Sequence, residues 1–317
     1  MKLSVIIPVY NVRRFIGRCV LSLLSQELSE TEYIFVDDGS TDGSIEVVEK
    51  MVEANHVQEK VKIIRHDRNR GLPSARNTGL AAATGEYVFH CDSDDYLALS
   101  ALKAMYEAAK AADADIVYTD WTLTLADKKR TMHEPDCNTP EEALRLMLHG
   151  AMKWNVWNKL VRRCLYTIYG ITFPEGHGMG EDMTMLLLTA YAKSIIHLPQ
   201  PCYHYVRLNR QAFTAHRTEA SYADLLFNTR RVVDGLKGKV SDEDLSCFLL
   251  NVKFPFLISP RREDYERWSR WFPEANAYIH RHQVSMRARF LERCAASRFY
   301  LPLKIHYILL QRLVGSC

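Results

Sequence analysis

Apolar and polar positions along the first 120 residues alternate between two periods. Leu3 to Pro8 is an apolar run broken only by Ser4, and Tyr33–Val36, Val61–Ile64 and Tyr87–Cys91 are similarly short. Such runs predict strands buried on both faces. Helical spacing lies between them. Val12, Phe15, Ile16, Cys19, Val20, Leu23 and Leu24 form one stripe, and Ile45, Val48 and Val52 form another. Asp42 is placed to cap the second of these helices. A third helix is predicted over about 72–83, after a loop at His66–Gly71, and is stopped by Thr84-Gly85. An alanine-rich fourth covers 99–111 and leads to a strand at 116–118.

Strands separated by single helices predict a mostly parallel α/β sheet covered on both faces. Ligands bind such sheets beyond the carboxyl ends of the strands. The residues there are Tyr10-Asn11, Asp37-Asp38-Gly39-Ser40 and Asp92-Ser93-Asp94-Asp95.

After residue 120 the alternation stops. Asp127–Pro140 reads as a polar loop and 140–149 as a short amphipathic helix, while Trp154–Leu160 is rich in aromatic and amide residues. A helix is expected over 181–192, and short strands at 195–198 and 203–206. From about 218 the chain reads as helical and increasingly basic.

The length of 317 residues suggests about two domains, and 47% hydrophobic with 25% charged residues suits a soluble enzyme. A net charge of +3 does not imply a nucleic-acid partner, and no nucleic-acid-binding motif accompanies it. None of the eight cysteines forms a C-x-x-C pair or sits at zinc-ligand spacing, which points to a reducing, cytoplasmic compartment. The apolar run Leu3–Val9 is too short for a signal peptide, and no run of about 18 apolar residues predicts a spanning helix.

Several groups could carry chemistry. Asp92, Asp94 and Asp95 repel one another unless a cation offsets their charge, and a hard ion such as Mg²⁺ or Mn²⁺ prefers oxygen ligands. The bland reading is a capped helix start, with Asp95 as the cap. Asp38 could accept from a base or ribose, or belong to a plain turn. Tyr10 could stack on a base, or pack on a neighbouring loop. Arg76, among small and polar residues, could hold a diphosphate bidentately, or sit on a solvated face. Glu181-Asp182 opens a helix, where a carboxylate is either a cap or a general base. His204 and Arg207 lie among aromatic residues, where an interior histidine is usually structural.

In order, Pro8-Val9-Tyr10-Asn11, Val36 to Asp42, Gly71 to Gly79 around Ala75-Arg76-Asn77, Gly85-Glu86-Tyr87 and Asp92-Ser93-Asp94-Asp95 resemble family 2 glycosyltransferases of the GT-A fold. Trp157-Asn158-Lys159-Leu160, Glu181-Asp182 and Tyr203 to Arg207 are similar to the bacterial capsule and O-antigen branch. The resemblance covers roughly residues 1–210. It implies a UDP-sugar donor, with Pro8, Tyr10 and Asp38 around the nucleobase and Arg76 and Ser93 at the nucleotide. Asp92 would be shared between ribose and metal, and Asp94 would ligate the metal. It further implies Asp182 as catalytic base with Glu181 next in line. Trp157, Asn158 and Lys159 would line the sugar and acceptor pocket, and His204 and Arg207 would close over the diphosphate. The implied division is a donor half at 1–120, an acceptor half at 121–215 and a helical region at 216–317.

The implied acceptor is a glycan or a polyprenyl-linked glycan. The C-terminal stretch fits the second. Between Tyr278 and Cys317 lie seven basic side chains against the single acid Glu292, together with Phe299, Leu301, Ile305, Ile308 and Leu309. Basic and apolar residues on a helix predict interfacial membrane contact, with packing on the enzyme's own core as the alternative. Among rival functions, a dinucleotide oxidoreductase would need G-x-G-x-x-G after the first strand, where Tyr10-Asn11-Val12 stands. A non-catalytic sugar- or nucleotide-binding module would need neither base nor metal ligands.

Overall fold

The computed structural model describes residues 1–208 and 218–314, without the side chains of 312–314. The boundary expected at 215/216 lies outside the described residues, as do Cys317 and the Arg312 side chain. Two compact units are present: Met1–Ala143 with Trp154–Val232, and Leu144–Lys153 with Val233–Cys317.

The first unit begins with β1 (Leu3–Val9), α1 (Arg13–Leu24), β2 (Thr31–Asp37), α2 (Ser44–Ala54), β3 (Val61–Arg65), α3 (Leu72–Ala82) and β4 (Tyr87–His90). These strands are parallel in the order β3-β2-β1-β4. Every residue of β1, β2 and β4 is buried, as their unbroken apolar runs require. One carboxylate lies inside this layer. Burial works to raise the Glu32 carboxyl, but hydrogen bonds from Lys62, Ser4 and Thr84 hold it down at about 2. Glu32 thereby ties the turn after α3 to the sheet.

The sheet continues through β5 (Tyr96–Leu97), then past α4 (Ala101–Ala111) to β6 (Ile116–Thr124), β7 (Lys129–Met132) and, beyond α5 (Pro140–Leu148), β8 (Lys159–Arg162). After α6 (Cys164–Ile168) and α7 (Thr184–Tyr191) comes β9 (Ile195–Val206), and α8 (Glu219–Leu236) follows. Strand β8 inserts between β4 and β6, antiparallel to both. Sequence periodicity misses it because the strand has only four residues and begins with a buried lysine. Strand β9 is one 12-residue element rather than two short ones. Pro199 and Pro201 break its pattern, and a bulge opposite Thr119–Trp121 absorbs them. Strand β7 occupies part of the stretch read as a loop; three of its four residues are exposed, as suits a charged edge strand.

The second unit is helical and contains α9 (Asp242–Lys253), α10 (Arg262–Arg270), α11 (Met286–Ala296) and α12 (Leu301–Val314). Its core holds two polar centres. Lys253 donates to the carbonyls of Trp271 and Phe272 and to Asn276 Oδ1, at 3.0, 3.3 and 2.7 Å. His282 lies 2.6 Å from Glu292 and 2.9 Å from Asn251 Oδ1. No helix among the described residues is long and apolar enough to cross a membrane.

Candidate functional site

The carboxyl ends of β1, β2, β3 and β4 converge. Past β2, Asp38 accepts backbone N–H bonds from Arg70 and Gly71, each at 2.8 Å. His66, directly after β3, lies 2.7 Å from Asp38 on one ring nitrogen and 2.9 Å from the Thr78 hydroxyl on the other. Applying the strand-end rule to β3 would have singled out His66. Gly39 has φ +75°, and a Cβ there would lie 2.8 Å from the backbone at Arg68 and Asn69. Only glycine lets the two loops meet this closely. Pro8 and Val9 are buried at the end of β1, whereas Tyr10, directly after the strand, is 46% exposed.

Past β4 the chain turns through Asp92-Ser93-Asp94-Asp95. Asp95 is fully engaged: Tyr203 Oη donates to one oxygen at 2.8 Å and Val206 N to the other at 2.7 Å. Burial, then the charges of Asp94 and Asp92, push its carboxyl well up. Asp95 is therefore a brace within the turn. The Tyr203 hydroxyl also accepts from Asp92 N at 3.0 Å. Arg18 donates to the Asp94 carbonyl, and Ser93 is buried between the two half-buried carboxylates.

Arg76 joins this turn to the second half of the unit. It is 1% exposed, and its Nη2 donates to Asp92 Oδ1 at 3.0 Å. Its Nε and Nη1 are buried without a partner. Its charge is favoured by Asp92, Asp182 and Glu181, in that order, which outweigh desolvation. Burial pushes the Glu181 carboxyl up to about 8, reinforced by Asp182. Burial also raises Asp182, to about 6, against the pull of Arg76. Asp182 accepts from the Val156 backbone N–H, while its Oδ1 has no partner.

Trp157, Asn158 and Lys159 are all buried. Trp157 stacks on Tyr203 at 4.7 Å and on Tyr205 at 5.3 Å. Asn158 donates to the Thr119 carbonyl and accepts from Lys159, which also donates to the Asn155 carbonyl. Burial lowers Lys159 to about 8, opposed by Glu134 and Asp182. His204 stacks on Tyr96 at 4.3 Å, and burial, then Lys129 and Arg18, lower it to about 4. Arg207 is exposed at the end of the β6–β9 pair. Among the described residues, no three His, Cys, Asp or Glu side chains converge as a metal cage. Asp92 and Asp94 nevertheless offer two hard oxygen donors on one turn, the number Mg²⁺ commonly takes from protein when phosphates complete its shell.

The model of the family described as "Glycosyl transferase family 2" matches residues 4–171. The glycosyltransferase EpsJ of Bacillus subtilis is 30% identical over 277 residues, which cover 81% of this chain and 77% of EpsJ. The chain belongs to glycosyl transferase family 2. Its fold is that of the GT-A members. The structure of S. aureus TarS 1-349 in complex with UDP-GlcNAc is 22% identical, with a TM-score of 0.72 over 98% of this chain and 92% of that one. The mannosyltransferase PcManGT of Pyrobaculum calidifontis, in complex with GDP-Man and Mn²⁺, is 18% identical, with a TM-score of 0.52 over 99% and 85%. The family match spans the strand ends from Tyr10 through Asp38 and Arg76 to Asp94 and runs on through Trp157–Lys159, stopping short of Glu181-Asp182.

Proposed function

We propose that this glycosyltransferase is an inverting, metal-dependent enzyme of surface-polysaccharide synthesis. It moves a hexose or N-acetylhexosamine from a UDP-sugar to a glycan or polyprenyl-linked acceptor. The observation that carries the reading is Arg76, buried, bonded to Asp92 at 3.0 Å and with Nε and Nη1 unpartnered; the charges of Asp182 and Glu181 also favour its cation. A leaving diphosphate needs a cation, and the acceptor hydroxyl needs a base poised near neutrality. Arg76, with two buried N–H groups unpaired, supplies the first; Asp182, raised to about 6 with one oxygen unpartnered, supplies the second.

Pro8, Tyr10 and Asp38 hold the uracil in this reading, with Asp38 set by its two backbone donors. Asp92 and Ser93 meet the ribose and diphosphate, and Asp92 with Asp94 would hold Mn²⁺ or Mg²⁺. The ion would neutralise charge on the diphosphate. Asp182 takes the proton of the acceptor hydroxyl, and Glu181, whose neutral form is favoured by burial and by the Asp182 charge, keeps a second negative charge away from it. Trp157, Asn158 and Lys159 form the wall of the sugar pocket through their internal bonds. Exposed Arg207 is the cationic group of the diphosphate closure, and His204 is an uncharged one. A single displacement inverts the anomeric carbon. A panel of UDP-sugars, including the UDP-GlcNAc bound by TarS, incubated with Mn²⁺ should show hydrolysis of at least one. NMR of the freed sugar should show the β anomer first from an α-linked donor. No turnover of any donor, with UDP still bound, would favour the binding-module reading.

The C-terminal helices support contact with a lipid surface. Leu301, Ile305, Ile308 and Leu309 recur at helical spacing on α12, and all are exposed. Met286 and Phe290 on α11 are exposed beside Arg287 and Arg293, while the one acid, Glu292, is buried. A second copy would set like charges against each other, whereas anionic lipid would neutralise them. Sedimentation with phosphatidylglycerol vesicles but not with phosphatidylcholine vesicles is expected.

A further inference from the structure

Glu181-Asp182 ends a loop, residues 172–183, that runs from a buried aromatic cluster to the start of α7. One face of α8 holds this loop along its length. Asp224, Asn228 and Arg231, spaced four and three residues apart, share that face. Arg231 donates to the Thr172 carbonyl at 3.2 Å and to the Thr184 hydroxyl at 2.9 Å, so one guanidinium staples both ends. Asn228 Nδ2 donates to the carbonyls of His177 and Met179, at 3.2 and 2.9 Å. Asp224 pairs with the His177 ring at 3.0 Å and accepts from Gly178 N at 3.2 Å. Gly180, directly before the carboxylates, has φ +92°, and a Cβ there would meet Asn228 and Met183 at 3.4 Å. The loop's left-handed hinge is therefore pressed against the same helix face.

We propose that Asp224, Asn228 and Arg231 are positioning residues for the general base. They fix the loop so that the unpartnered oxygen of Asp182 faces the acceptor hydroxyl and the carboxyl stays in the field of Arg76. This rests on the assignment of Asp182 as base. Among the described residues, the hydrogen bonds of these three side chains go to loop 172–184 and to one another rather than to the acidic turn after β4 or to Asp38, so their removal should separate turnover from donor binding.

The test compares Arg231→Gln, Asn228→Ala and Gly180→Ala with Asp182→Asn. Turnover is read as hydrolysis of the UDP-sugar found in the donor panel, and nucleotide affinity as UDP binding with Mn²⁺ by calorimetry. Each clamp variant is expected to lose at least tenfold in kcat, with UDP affinity within twofold of the parent. The acid limb of its kcat–pH profile should also move, because the carboxyl leaves its set environment. In a further variant, Arg231→Ala, which leaves room for the ion, millimolar guanidinium should restore part of the activity, but it should restore none of that of Asp182→Asn. Gly180→Ala leaves α8 intact, so it perturbs the same hinge if an α8 variant does not fold. If Asp182→Asn stays active, the assignment of the base fails. If Asp182→Asn is dead but Arg231→Gln and Gly180→Ala turn over within twofold of the parent, the clamp is refuted. A parallel loss of turnover and UDP affinity also refutes it, since that marks general loosening.

Discussion

Two segments present carboxylates to Arg76, and they are held in different ways. The turn Asp92–Asp95 leaves a buried strand and is fixed by backbone bonds and by Tyr203 and Val206 of β9. The loop 172–183 has no strand at its start and hangs on side chains of α3 and α8. Asn77, next to Arg76, both accepts from and donates to the backbone of Phe173. The first arrangement is rigid, as the donor-binding groups proposed for it require. The second delivers a carboxyl whose proton affinity depends on where a loop is held.

Perturbations of the two segments should therefore split binding from turnover. The largest effect is expected for Asp182→Asn, where loss of a general base lowers kcat by roughly 10²–10⁴-fold. Retained UDP affinity in the same variant, measured by calorimetry, is what distinguishes a base from a donor ligand. Asp94→Ala should instead abolish the Mn²⁺ dependence of UDP binding along with transfer; UDP affinity that still responds to Mn²⁺ would remove Asp94 from the ligand set. Asp38→Ala should weaken UDP binding by about 1.5–3 kcal/mol and leave residual turnover at saturating donor, because it removes an acceptor held by two backbone donors.

Smaller effects should follow pH. The Asp182 carboxyl is raised from its ordinary 3.8 to about 6, so kcat should rise with pH through an acid limb near 6 as the base ionises. The same shift acts oppositely on stability. The folded state binds this proton more tightly than the unfolded chain, so stability falls as pH rises from about 4 to about 6 and stays lower above it. Asp182→Asn should then raise Tm at pH 8 by roughly 2–4 °C and have little effect at pH 4. An unchanged Tm at pH 8 would show that the carboxyl is not strained by burial.

The contrast also explains what was legible in the sequence. Asp38 and the Asp92 cluster follow strands whose apolar runs are plain, and the strand-end rule singles them out, whereas Arg76 lies within a predicted helix and is singled out by its small and polar neighbours. Strand β8 was not legible because its first residue is a buried lysine whose cost is met by Asn155 and Asn158. The 12-residue β9 was hidden by two prolines that a bulge accommodates. Tyr203 carried no sign of its role, since the hydrogen-bond partners of its hydroxyl are more than 100 positions away in sequence. Asp224, Asn228 and Arg231 were invisible for the same reason: a helix face reads as polar until its partner loop is known.

The bracing of the acidic turn by Tyr203 and Val206 sets an order of events during synthesis. Asp92 to Asp95 leave the ribosome more than 100 residues before the side chain and backbone N–H that secure them. Until β9 has emerged and paired with β6, the nascent chain carries its parallel strands with the acidic turn unsecured, and so without the finished nucleotide site proposed there. Chains truncated before residue 203 should therefore bury an apolar core yet fail to retain UDP.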